Sequence, residues 1–212
     1  MATITDYNSL EQALQDFTAR SDLVSYQDYF IQAAEEDIYN SVFEQNQGRG
    51  LPDFETSFTG TISGNTLALP TGYLGLRAAT FSDSGNNFPL QMRPLDWINQ
   101  NYPDTTASSP PSFICRAGTN FQFAPYPDSG YTVNGWYWQR MAALSSSNTT
   151  TWMTSNIPAT LFAACMKELY DFVQDAANAE KWDTRYQSRL AAYIASKHAE
   201  DYSGSGLSMA PA

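Results

Sequence analysis

Nearly all of the prolines and most of the glycines in this 212-residue chain fall between residues 50 and 158, with helical periodicity on either side. Proline deletes a backbone donor and glycine is costly in a helix interior, so the ends can carry long helices and the middle favours short strands and turns. Residues 7–18 place Leu10, Ala13, Leu14 and Phe17 at helical spacing. Ser21-Asp22 then offers a cap for a longer helix with Tyr26, Phe30, Ala33, Ala34, Ile38, Ser41 and Val42 along one face. Gln45 to Gly50 ends it, with Gly48 as a left-handed cap. Periodicity returns at Pro158 with Leu161, Cys165, Leu169, Phe172, Val173 and Ala176. Asn178 can cap a last helix that carries Trp182, Tyr186, Leu190, Tyr193 and Ile194 inside.

Between these halves, short β-branched and aromatic runs alternate with turn signals such as Ser63-Gly64-Asn65-Thr66 and Asp83-Ser84-Gly85-Asn86. Strands are expected near 54–63, 67–69, 74–81, 88–92, 112–116, 119–123 and 130–139, with a helical turn at Pro94–Asn99. The fold class is therefore α+β. A discontinuous four-helix bundle from residues 1–50 and 155–200 carries a small β-sandwich or barrel, residues 51–154, as an insertion. Each helix pair has one apolar face and needs the other to cover it. Tyr26, Phe30, Ile38, Leu161, Leu169, Phe172, Trp182 and Tyr186 are expected in that core. Residues 201–212 are polar and Gly/Ser-rich, an extended tail with Tyr202, Leu207 and Met209 as separated apolar points.

Charge narrows the function classes. Eleven basic residues against 22 acids give a net charge of −11, with the excess concentrated before residue 52. Such a chain is not a broad electrostatic binder of phosphate backbones. No run approaches the roughly 18 apolar residues of a membrane span, and the first residues lack the basic and apolar regions of a secretory signal. Cys115 and Cys165 have no CxxC spacing or nearby histidine and read as reduced thiols, Cys165 in an apolar stretch. His198 is the only histidine, so neither a catalytic triad nor a multi-histidine metal site can be assembled. Glu35, Glu36 and Asp37 are consecutive and splay around a helix, which reads as a solvated face. No phosphate-cradling or dinucleotide glycine motif occurs, and Asn148-Thr149-Thr150 is a sequon without a secretory route. No enzyme activity and no cofactor are expected.

The aromatics of the insertion, among them Tyr73, Phe81, Trp97, Tyr102, Phe113, Phe121, Phe123, Tyr126, Tyr131, Trp136, Tyr137 and Trp138, are open to three readings. They can form a β core, an oligomer interface, or a platform for a sugar ring or receptor.

Several motifs in fixed order carry a resemblance. They are Leu69-Pro70-Thr71-Gly72-Tyr73-Leu74-Gly75-Leu76-Arg77, then Phe123-Ala124-Pro125-Tyr126-Pro127, then Trp136-Tyr137-Trp138-Gln139. Met141-Ala142-Ala143-Leu144-Ser145, Asn148 and Trp152-Met153 follow, before Leu161–Cys165 and the final Ala179–Tyr186 segment. In this order the chain, from residue 7 to about 198, resembles the head–tail adaptor (connector) proteins of tailed bacteriophages, particularly short-tailed ones. It departs from their pattern at Gly72, where the motif carries an acid, and in the serine-rich 145–147 segment. The resemblance implies a virion protein of the neck and tail region, assembled in the host cytoplasm. Twelve subunits would form a ring beneath the portal, extend the DNA channel, and present a platform for tail nozzle or fibre proteins. Duplex DNA would pass without specific binding, and Asp28, Glu35, Glu36, Asp37 and Glu44 are candidates for the channel wall. Residues 201–212 would hold the portal, with Tyr202, Leu207 and Met209 as anchors.

Overall fold

A computed structural model describes residues 3–202, which divide into two compact units. Of the described residues, 3–52 and 141–202 belong to the first and 53–140 to the second. Among the described residues there are six α-helices and seven strands.

In the first unit, α1 (Tyr7–Thr18) starts at a reciprocal cap. Asp6 accepts the Ser9 amide at 2.8 Å and Ser9 Oγ accepts the Asp6 amide at 2.9 Å. Ala19 ends it in the left-handed conformation. The second helix does not start at Ser21 as expected: Ser21–Tyr26 form a 3-10 helix, and α2 spans Gln27–Gln45. Gly48, at φ +80°, donates its amide to Phe43 at 2.7 Å and closes α2, the role its position predicts.

The chain returns at Met141. Residues 141–154, expected in the insertion, are tied to the helices instead. Met141 donates its amide to Tyr39 Oη at 3.1 Å, Leu144 donates to both Glu35 carboxylate oxygens at 3.1 and 3.2 Å, and Tyr7 donates to the Thr149 carbonyl at 2.7 Å. A short helix, α4 (Trp152–Asn156), precedes α5 (Pro158–Phe172), which has Pro158 in its first turn. The last helix, α6 (Ala176–Tyr202), is capped by Asp175 rather than Asn178: the Asn178 amide donates to Asp175 Oδ1 at 3.2 Å. Helix α5 is the hub, in contact with α1, α2, α4 and α6. No helix among the described residues is long and apolar enough to cross a membrane.

The second unit is one curled half-barrel sheet, not a sandwich. Its strands are β1 (Glu55–Thr61), β2 (Thr66–Ala68), β3 (Tyr73–Asp83), β4 (Asn86–Met92), β5 (Phe113–Ala117), β6 (Asn120–Ala124) and β7 (Thr132–Gln139). Their order is β1-β7-β3-β4-β5-β6-β2, antiparallel except for the β4–β5 pair. The two edge strands are consecutive in the chain and joined by the tight Ser63–Thr66 turn, so the sheet has to curl until its edges meet there. Register shifts in β3, at Tyr73/Gly75 and Leu76/Ala78, supply part of the bend. Inside lie Phe81, Ile114, Phe121, Phe123, Tyr131 and Val133. The expected helical turn is α3 (Leu95–Asn101), whose Ile98 packs with Cys115 and Ala124.

Gly135 sits on β7 opposite Phe58 of β1. A methyl group there would meet the Phe58 ring at 2.5 Å and the Ala78 carbonyl oxygen at 2.8 Å. Only glycine lets the ring lie across the strand.

Candidate functional site

Phe30, Ile38, Leu161, Leu169, Trp182 and Tyr186 are buried in the helical unit. Tyr26 and Phe172, expected beside them, are not: they are 46% and 45% exposed. Tyr26 closes the 3-10 helix rather than lying on the α2 face, and Phe172 is the last residue of α5. They meet each other instead, ring centroids 4.9 Å apart, and Phe172 leans on the buried Phe30 ring at 5.4 Å. Tyr29, 58% exposed, has its ring edge to face with Phe30 at 5.9 Å, and Val24 is also exposed. The result is an exposed aromatic knob with the carboxylates of Asp22, Asp28 and Asp171, all exposed, in or beside its segments.

A second apolar surface lies at the other end of α5. Phe17, Phe162 and Trp182 pack edge to face with centroids 5.3 to 5.9 Å apart, and with Ala13 and Ala159 they line a groove of 420 Å³. Helical spacing places Phe17 on the buried face of α1, yet it is 55% exposed at the groove's rim. Arg185 lies over the Trp182 ring at 4.7 Å, and Arg189 donates to the Ala159 carbonyl at 2.7 Å. Asp16, whose carboxylate takes the Gln12 amide at 2.7 Å, completes the rim. Exposed apolar patches of this kind mark contact surfaces in soluble proteins.

The acids proposed for a channel separate by environment. Glu35 is buried and clamps the Leu144 amide, so it faces no channel. Asp37 is half-buried and ion-paired with Lys167. Burial alone would lower the Lys167 ammonium, but Asp37 and Glu168 hold it above its ordinary value; burial pushes the Glu168 carboxyl up. Asp28 is exposed and accepts the Tyr7 hydroxyl, while Glu36 and Glu44 are exposed. His198 is exposed on α6. Tyr202 ends α6, so the helix runs two residues into the expected tail; Leu207 and Met209 lie outside the described residues.

In the sheet, β7 alternates: Val133 and Tyr137 face inward and are buried, while Trp136 is outward and 53% exposed. Ser57, Thr59, Thr80 and Asn134 surround it, and Thr59 donates to Asn134 Oδ1 at 2.9 Å.

Exposed rings and an open groove on one helical unit are surfaces that a second chain can cover. The family is specific: residues 5–210 match the model described as SU10 adaptor protein, and the chain belongs to that family of bacteriophage adaptor structural proteins. Among curated proteins no significant match is found.

Proposed function

We propose that this protein is the subunit of a head–tail adaptor ring of about twelve copies, seated beneath the portal of the virion and carrying the tail nozzle or fibres. The family match over residues 5–210 carries this reading. The knob and the groove support it, because a ring subunit needs two unlike contact faces. Residues 201–212 are assigned to the portal, with Tyr202, Leu207 and Met209 as anchors. Glu36, Glu44 and Asp28 are assigned to the channel wall. Twelve copies carry a charge on the order of −130, which repels a passing phosphate backbone and favours transit over adhesion.

Electron microscopy of the purified chain mixed with its portal tests the reading. A ring of density on the tail-proximal end of the portal is the expected image; bare portals at saturating protein overturn it. A second reading, a sugar ring stacked on Trp136 among its hydroxyl and amide neighbours, is favoured by that residue's exposure. Oligosaccharide titration of tryptophan fluorescence, against a Trp136→Ala control, decides it.

A further inference from the structure

We propose that the aromatic knob of one copy seats in the groove of the next, making a head-to-tail contact between identical chains. The inference rests on the ring reading above and names the two faces that reading requires.

Shape is the first argument. Tyr26, Tyr29 and Phe172 offer exposed rings, and the groove between Phe17, Phe162 and Trp182 is concave. Its 420 Å³ is within the range of pockets that enclose small ligands, room enough for a knob ring. Rings seated in a water-excluding pocket are the usual anchors of an interface.

Charge is the second. Copies at −11 repel one another in general, so a stable contact needs local complementarity. Arg185 and Arg189 are exposed at the groove and make no ion pair among the described residues. Asp171, next to Phe172 in the knob, is exposed and likewise unpaired among them. The missing partner of each is present on the other face. At the groove Asp16, which accepts the Gln12 amide, offsets one of the two arginines, so the groove keeps an excess of positive charge for Asp171 to meet.

Symmetry is the third. Knob and groove lie at opposite ends of α5, centred near Phe172 and Phe162, and share no residue. One copy can therefore give its knob and receive another at once. A contact between unlike faces propagates and closes into a ring when the rotation allows, whereas a like-with-like contact stops at a dimer.

The test uses the two native thiols, both buried, as a silent background. The full-length Phe17→Cys/Tyr29→Cys variant is treated with a short bis-maleimide, both as purified chain over a range of concentrations and in assembled particles. A ladder of dimers, trimers and higher species is expected, with neither single variant giving one. Should the apolar substitutions impair folding, judged by circular dichroism, the exposed pair Asp16→Cys at the groove rim and Ser25→Cys beside Tyr26 gives the same readout with Arg185, Arg189 and Asp171 intact. Arg185→Glu/Arg189→Glu should abolish the ladder, and adding Asp171→Arg to that chain should restore it. Single variants that cross-link to dimers overturn the head-to-tail geometry. Loss of the ladder in every format, with the chain present in particles, overturns this contact and leaves the adaptor reading standing. A ladder from purified chain that never enters particles supports the contact and overturns the adaptor reading.

Discussion

At the residue scale, Glu35 shows how far local chemistry can depart from a charge pattern. It stands in a run of three acids, and a run of acids on a helix is ordinarily a wet face; in the fold this one is buried and both oxygens accept the Leu144 amide. The sequence offers no sign of this, because the partner is a main-chain group 109 residues away. Glu35→Ala strips that amide of its carboxylate in a buried setting, a change worth about 1–3 kcal/mol. Glu35→Gln keeps an acceptor and should lose clearly less. Urea denaturation of the two variants reads the difference directly, and an alanine variant as stable as the parent would show the clamp to be idle.

At the element scale, the helices and most of the strands are legible because their cues are local. Period, proline at Pro158, glycine at Gly48 and the turn at Ser63–Thr66 all act over a few residues. The 3-10 helix at Ser21–Tyr26, the short α4 and the membership of residues 141–154 were hidden, since side-chain clamps from α2 decide the last and the first has no residue that demands it. The exposed aromatic surfaces were half legible: the rings of Tyr26, Phe172 and Phe17 stand out in the sequence but read as core, and only the helix ends turn them outward. The caps make a further element-scale prediction. The Ser9 amide and hydroxyl hold the Asp6 carboxyl below its ordinary value, and the Asn178 side chain and amide do the same for Asp175. A lowered folded value means the stabilisation is complete above the unfolded value and disappears as pH falls through the folded one. Thermal melting should therefore be flat down to about pH 5 and decline toward pH 2. In Asp6→Asn/Asp175→Asn, whose caps cannot protonate, the decline should be shallower. Equal slopes would assign the acid loss to other groups.

At the scale of the whole molecule, assembly and acidity can be tested separately. Deleting residues 201–212 should weaken portal docking while leaving helix content and melting almost unchanged, and unaltered docking would remove the tail from the interface. In a gel shift at physiological salt the intact chain should leave duplex DNA free; a tight complex there would contradict a repelling channel wall. The discontinuity of the helical unit also has a consequence for the order of events during synthesis. Residues 3–52 leave the ribosome as half of a unit whose other half does not yet exist, and α2 must wait roughly 120 residues for α5. The β1–β7 ladder sets Glu55 opposite Trp138, so closing it removes about two thirds of that intervening loop, worth about 1 kcal/mol of closure entropy. Closure of the last-made strand of the sheet should therefore speed helix assembly. Gly135→Ala, which drives a methyl group into Phe58 in that ladder, should slow the stopped-flow recovery of helix signal several-fold. An unchanged rate would mean that the helices find one another before the sheet has closed.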